Sequence, residues 1–490
     1  MKLLKIMKFI FLYIIVVSNI ILAQNAAIDR LIKSYQSTEN IKNATWSLYA
    51  EYVDNGQNII DYQSQYTLTP ASGLKLVTTA AALEILGEEY KCKTRLYHDG
   101  SISSAGILKG NIYILGGGDP ALGSDRVEGS LPLDSLMRAW VNAIKKIGIK
   151  KIEGSIFADD LLFDYKRTPD YWSWIDIGNY YGAGSCALSI NDNLYYLLFE
   201  PGKYAGQPAK VLGTEPEIPG LTFINHMKTG PRFSGDNGYI YAAPGQFEAL
   251  LDGTVPASRK VFKIKGAIPD PALYSAQRLH QELINTGIKI TDYPAKVKNA
   301  IEYNSAKLIY TTISPPLKDI IFIINKKSFN LYAEQLVKLI ALTQNETGTL
   351  EDGLKIIKNF LSENLISIDG LELFDGSGLS RSNLITTKTM VELLKFMTTQ
   401  SSFKSYYNSL SVAGDEDDEG SFNSFGNGTV IENNARIKSG FISNIRSHSG
   451  YVRDRSGRLI AFSFICNNYH GSTSTINKIH KDLIIKLAEQ

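Results

Sequence analysis

Residues 69–87 run Thr-Pro-Ala-Ser-Gly-Leu-Lys-Leu-Val-Thr-Thr-Ala-Ala-Ala-Leu-Glu-Ile-Leu-Gly and constrain the fold more than any other segment. Pro70 suits a helix start and Gly87 a helix stop. Between them Leu76 to Leu86 is apolar and alanine-rich, as a helix through a core would be. Ser72 and Lys75 stand three apart at its beginning, on one helical face. A serine hydroxyl is a poor nucleophile until a base takes its proton. A lysine one turn away can be that base if burial and nearby charge lower its pKa. Taken alone, the same residues also fit a core helix with a serine near its cap and a lysine at the surface.

The 490 residues suggest about three domains. With 44% hydrophobic and 20% charged residues the chain reads as an ordinary globular protein. A net charge of +2 and a pI near 8.1 point neither to nucleic acid nor to a strongly acidic partner. Lys2, Lys5 and Lys8 precede an apolar run from Ile10 to Leu22, and Ala23 supplies a small residue before Gln24. Residues 1–23 therefore read as a secretory signal peptide, short for a membrane span, with export to the periplasm or cell envelope. An uncleaved anchor is the alternative. Ile21 is not ideal for cleavage, so the exact site stays open. Cys92, Cys186 and Cys466 are odd in number and widely spaced, which indicates no disulfide framework. Neither His448 nor His470 has a metal-ligand spacing.

Residues 45–53 alternate like a half-buried strand, with Trp46, Leu48, Ala50 and Tyr52 on one face and a turn at Asp54-Asn55-Gly56. Leu459–Cys466 reads as a dense apolar strand and Ser474–Leu487 as a terminal helix. The two ends of the chain are expected to share one sheet. From about 95 to 300 the sequence breaks into short strands and Gly/Pro turns, with long helices returning only after Pro315-Pro316. The expected division is 24–95 and 300–490 as one unit, and 96–299 as a β-rich insertion of two small domains.

Two further motifs have chemical content. Ser328-Phe329-Asn330 opens an amphipathic helix. There a hydroxyl and an amide two apart can share one cleft, although Ser328 also fits a plain helix cap. Lys438-Ser439-Gly440 offers a cation and a hydroxyl for a carboxylate, with a glycine that lets a substrate backbone approach. A more literal Lys228-Thr229-Gly230 is a decoy, because it precedes Ser328 in sequence and Pro231 follows it.

The order Ser-x-x-Lys, Ser-x-Asn, Lys-Ser-Gly resembles the penicillin-binding proteins and serine β-lactamases. More narrowly, the chain resembles the D-alanyl-D-alanine carboxypeptidase/endopeptidase family typified by penicillin-binding protein 4 (peptidase family S13). Pro70–Ala80, Gly117-Gly118-Asp119-Pro120, Ser314-Pro315-Pro316-Leu317 and Asp375-Gly376-Ser377-Gly378-Leu379-Ser380-Arg381 carry that match. Ser72 and Ser328 lie 256 residues apart. Serine β-lactamases are much shorter there, whereas this family carries two inserted domains. The resemblance spans nearly the whole mature chain.

It implies an α+β fold: a penicillin-binding-protein-like antiparallel sheet flanked by helices, with inserted β-rich domains. It also implies an acyl-enzyme hydrolase without metal or organic cofactor, acting on peptidoglycan stem peptides and crosslinks and acylated by β-lactams. Ser72 would be the nucleophile and Lys75 its base. Ser328 would relay a proton to the leaving amine, and Asn330 would hold the acyl-side amide. Lys438 would tune the site and, with Ser439, bind the terminal carboxylate. The N–H groups of Ser72 and Phe441 would form the oxyanion hole, with Gly440 allowing close approach. Asp176, with Tyr181 and Arg381, would recognise the amino group of a meso-diaminopimelate side chain, although a solvated loop carboxylate is the alternative for Asp176. Serine replaces the usual threonine at Ser439, and Phe441-Ile442-Ser443 is bulkier than usual. Val412–Gly420 carries five acids where the family has a tight turn. They read as a solvated acidic loop, since Gly426 stands where a calcium loop needs glutamate. A serine β-lactamase or esterase, or a non-catalytic wall-binding protein, would fit the same scaffold. Peripheral membrane association, oligomeric state and the balance of carboxypeptidase and endopeptidase activity are not legible.

Overall fold

The structure, a computed structural model, describes residues 30–490 apart from 36, 39–40 and 258–259. The expected signal peptide at 1–23 lies outside the described residues. Among the described residues, no helix is long and apolar enough to cross a membrane. Cys92, Cys186 and Cys466 are buried and free.

One six-stranded antiparallel sheet is built from both ends of the chain. Its order is Ser411–Val412, Arg436–Ile442, Ile445–Arg453, Leu459–Asn467, Thr45–Tyr52, Asn58–Tyr62. Trp46 pairs with Cys466 and Leu48 with Phe464, so the first and last strands of the sequence lie side by side. The strand Thr45–Tyr52 is buried on both faces, not one. Trp46, Leu48 and Ala50 pack with Ile476, Ile479 and Leu483 of the helix Thr473–Ala488. On the other face Ser47 meets Thr387 at 2.7 Å and Glu51 pairs with Lys395, both on the helix Thr387–Met397. Those polar partners are why the alternation of the sequence suggested a solvated face.

The helix Lys75–Leu86 turns no face to solvent along most of its length: every residue from Lys75 to Leu83 is buried, the polar Lys75, Thr78 and Thr79 included. A helix buried all round belongs inside a protein. This one is packed by the helices Leu317–Lys326 and Asn330–Ala341 and by Thr387–Met397. Leu76, Leu83, Leu336, Ile340 and Leu394 form part of one core. Burying each such side chain contributes about 1.5–3 kcal/mol.

Among the described residues, the chain between the two ends forms four further sheets. A five-stranded sheet contains Ile112–Leu115 and Ile156–Asp159 in parallel, and also Lys93–His98 and Leu308–Ile313. It therefore draws in strands on both sides of the 96 and 299 boundaries. Two helices, Leu133–Lys146 and Pro271–Asn285, correct the expectation that long helices return only after Pro315. Leu136, Trp140 and Ile144 of the first are buried at helical spacing beside Leu279 and Leu283 of the second. Lys228–Gly230 is a short strand parallel to Thr254–Pro256, within this region.

Candidate active site

Ser72 lies in a 3-10 turn, Ala71–Leu74, immediately before the buried helix, and Lys75 is the first α-helical residue. Ala71 has φ +46°, a left-handed conformation that a β-carbon disfavours. Strain of this kind persists only where surrounding contacts over-determine it. Here the Ser447 hydroxyl donates to the Pro70 carbonyl at 2.6 Å. A β-carbon on Gly378 would lie 1.9 Å from the Ala71 carbonyl oxygen. One on Gly440 would lie 2.3 Å from that of Pro70. The strand Arg436–Ile442 and the 375–381 loop thus close on the turn because both present glycine to it.

Lys75 is wholly buried. Its ammonium nitrogen lies 3.1 Å from Ser72 Oγ, 2.7 Å from Asn330 Oδ1 and 2.7 Å from the Ser377 carbonyl. Burial lowers its pKa to about 7, against the opposing pull of Asp375 and Glu334. Those two carboxyl groups shape the loop that faces it. Glu334 accepts from the Gly376 and Ser377 N–H groups. Asp375 accepts from Gly378, Ser380, Asn383 and the Trp172 indole. Burial and the neighbouring Asp375 charge raise the Glu334 pKa, while hydrogen bonds from Gly376 and Ser377 oppose the rise. The backbone between them is fixed so that the Ser377 carbonyl points at Lys75 and the Gly376 carbonyl at the Thr78 hydroxyl.

Lys438 is also buried and donates to Ser328 Oγ at 2.9 Å and the Ser439 carbonyl at 2.8 Å. Burial, then Lys75 and Arg446, hold its pKa well below the usual lysine range. Ser328 has φ +56°. Phe441 is 55% exposed at the end of the same strand. A cavity of about 260 Å³ adjoins Ser328, Lys438 and Ser439, walled by Lys327, Glu419 and Ser421. A larger groove, about 610 Å³, lies between residues 164–171 and the helix Leu350–Glu363, and none of the candidate catalytic side chains lines it.

Asp176, Tyr181 and Arg381 are neighbours in the structure. Asp176 is half-buried, with the Tyr181 hydroxyl and the Arg381 charge acting on its carboxyl group. Burial raises its pKa, while the Arg381 charge and the Tyr181 bond oppose the rise. Arg381 also donates to the Ser443 carbonyl at 3.2 Å. The Tyr181 carbonyl accepts from Asn330 Nδ2 at 2.7 Å, so this cluster is one hydrogen bond from the Lys75 centre.

The acidic loop differs from its reading. Asp418 is not solvated: it forms an ion pair with Lys326 in which both side chains are buried. Lys326 ends the helix before Ser328 and needs a counter-charge at that depth. Glu416, Asp417 and Glu419 are exposed. Among the described residues no cluster of His, Cys, Asp or Glu could hold a metal ion.

Glu334, Asp375, Trp172 and Ser447 were not singled out from the sequence for these roles. Glu334 was within reach, since it follows Asn330 by four residues and so shares its helical face.

The whole arrangement has counterparts. Residues 25–489 match the D-Ala-D-Ala carboxypeptidase 3 (S13) family. The chain is 28% identical over 443 residues to a D-alanyl-D-alanine carboxypeptidase of Actinomadura sp. (strain R39), covering 89% of this chain and 79% of that one. It is 25% identical over 429 residues to the D-alanyl-D-alanine carboxypeptidase DacB of Haemophilus influenzae, covering 86% and 85%. The crystal structure of penicillin binding protein 4 (dacB) from H. influenzae superposes with a TM-score of 0.80 at 22% identity, over 94% of this chain and 99% of that one. The same protein complexed with a β-lactam gives 0.75 over the same shares, also at 22% identity. A match running almost from end to end leaves neither the two-ended sheet nor the insertion outside it: this chain belongs to the D-Ala-D-Ala carboxypeptidase 3 (S13) family of serine-type peptidases.

Proposed function

We propose that the protein is an exported D,D-peptidase of the cell envelope that cuts peptidoglycan stem peptides or crosslinks through an acyl-enzyme on Ser72, and that β-lactams acylate the same hydroxyl. The observation that carries this reading is the buried Lys75 amine, 3.1 Å from Ser72 Oγ with a pKa near 7. A charged lysine has three donors and no acceptor. Near neutral pH a large share of Lys75 is the free amine. Two N–H bonds then go to Asn330 Oδ1 and the Ser377 carbonyl, and the lone pair faces the Ser72 hydroxyl.

Ser72 Oγ attacks the carbonyl carbon of the penultimate D-alanine, in the amide that joins it to the leaving group, and its proton passes to Lys75 Nζ. The tetrahedral oxyanion is held by the N–H groups of Ser72 and Phe441. Ser328, bound to Lys438, relays the proton taken up by Lys75 to the amine as the C–N bond breaks, so that Ser328 keeps its hydroxyl and Lys75 returns to the free amine. Water then cleaves the ester, giving the free acid and regenerating Ser72. Asn330 orients the acyl-side amide. Lys438 and Ser439 receive the terminal carboxylate, and Gly440 leaves room for the substrate backbone. Asp176, with Tyr181 and Arg381, receives a free amino group on the acyl-side chain, such as that of a meso-diaminopimelate residue. The family membership, and a relative crystallised with a β-lactam, support the same reading. The catalytic unit in this proposal is 24–95 with 300–490, and the insertion supplies the Asp176 subsite.

The test is intact-mass measurement of the protein and its Ser72→Ala variant with benzylpenicillin. A lasting adduct on the wild type alone is expected. Rapid penicillin loss without an adduct would make it a β-lactamase. Neither adduct nor turnover would remove the acyl-enzyme and leave a wall-binding protein.

A further inference from the structure

The Gly116-Gly117-Gly118-Asp119-Pro120 turn is outside the chemistry above, yet its packing is demanding. A β-carbon on Gly117 would lie 2.1 Å from the Lys93 carbonyl oxygen, and one on Gly116 2.5 Å from that of Ala187. The turn is thereby pressed against 187–191, where Gly118 N–H donates to the Ala187 carbonyl and Asn191 N–H to that of Leu122. Six residues after Pro120 the chain delivers Arg126.

The segment it lies against is equally constrained. Asn191, Asp192 and Asn193 have φ of +53°, +56° and +48°, three consecutive left-handed residues without a glycine. The turn holds because Asn193 spans it, accepting from Ile190 N–H and donating to the Gly184 carbonyl. Its product is one buried carboxylate with two partners. Asp192 Oδ2 takes Arg126 Nε at 2.6 Å, and Oδ1 takes the Tyr332 hydroxyl at 2.6 Å. The Arg126 guanidinium then lies over the Phe329 ring, 4.9 Å from its centre, and Phe329 packs edge-on against Tyr332 at 4.7 Å. Phe329 is the central residue of Ser328-Phe329-Asn330. With its ring clamped from two sides, the flanking Ser328 is held at φ +56°, its Oγ 2.9 Å from Lys438.

We propose that Arg126 and Asp192, both from the insertion, are positioning residues for the Ser328-Phe329-Asn330 turn. They hold the Phe329 ring and the Tyr332 hydroxyl so that Ser328 faces the leaving group. The Gly116–Pro120 turn exists to bring Arg126 to that place. This rests on the acyl-enzyme reading, and specifically on Ser328 as the proton route to the leaving amine.

The test separates proton delivery from general loosening. An amine leaves only when protonated, whereas a thiolate leaves without help. Hydrolysis of an N-acyl-D-alanyl-D-alanine peptide is compared with that of the N-acyl-D-alanyl thioester of thioglycolate, in Arg126→Met, Arg126→Lys and Asp192→Asn. Thermal unfolding of each variant reports its folding. Peptide turnover in Arg126→Met is expected to fall about tenfold or more beyond any fall in thioester turnover. Arg126→Lys, which keeps the cation over Phe329, recovers part of the loss, and Asp192→Asn shows the same bias to a smaller degree. Equal falls for both substrates, or no fall in folded Arg126→Met and Asp192→Asn, would overturn the proposal. Thioester hydrolysis that survives Ser72→Ala would instead overturn the acyl-enzyme reading itself.

Discussion

Two lysines lie wholly buried in one cleft, and their surroundings differ. Lys75 faces Asn330 Oδ1 and the Ser377 carbonyl, with the Asp375 and Glu334 carboxyl groups behind them. Lys438 faces the Ser328 hydroxyl and the Ser439 carbonyl, with Lys75 and Arg446 as charged neighbours. Burial pulls both below the ordinary lysine range. Only Lys75 has negative charge to check the fall, and it comes to rest near 7. The contrast teaches that depth alone does not set a base. A general base works best with a pKa near the working pH, and in the proposed mechanism Lys75 meets that condition because burial lowers its pKa while the Asp375 and Glu334 charges limit the fall.

The contrast can be broken most sharply by removing each amine. Lys75→Met is expected to slow acylation by benzylpenicillin about a thousandfold or more. Lys75→Arg should do no better, since a guanidinium does not give up its proton. Lys438→Met should cost less, about a hundredfold, because it removes electrostatic support and leaves the base in place. Stopped-flow acylation rates check both, and a larger loss at Lys438 would reverse the assignment of base. Next comes Glu334→Gln. Its carboxylate raises the Lys75 pKa, so its loss should move the acid limb of the acylation profile to lower pH. An unmoved limb would show that Glu334 only holds the loop. Gly440→Ala should destabilise the fold by about 1–3 kcal/mol in denaturant titrations, because its β-carbon meets the Pro70 carbonyl and the Ser447 hydroxyl. The smallest effect is expected from Ser439→Thr, which keeps the hydroxyl and should change peptide turnover by less than about threefold.

Ser72, Lys75, Ser328, Asn330 and Lys438 were legible as candidates because each belongs to a short motif whose residue types imply chemistry. What holds them was not. The Ser377 acceptor is a backbone carbonyl, which leaves no mark in sequence. The left-handed Ala71 and Ser328 carry no glycine to announce a positive φ. Trp172 meets Asp375 across 203 residues of chain. The burial of Asp418 depends on Lys326, which approaches only after folding. The helix Leu133–Lys146 is a different case. Its buried residues recur at helical spacing, and the Gly/Pro-rich turns around it drew attention to strands.

The most direct test of the central claim is the pH dependence of Ser72 acylation by benzylpenicillin, followed by intact mass at saturating and limiting drug. The base must be neutral to accept the serine proton. The rate is therefore expected to rise with pH through an apparent pKa of about 7, a limb absent from Lys75→Met. A flat profile from pH 5 to 9, or a limb only near the ordinary lysine value of about 10.4, would contradict it.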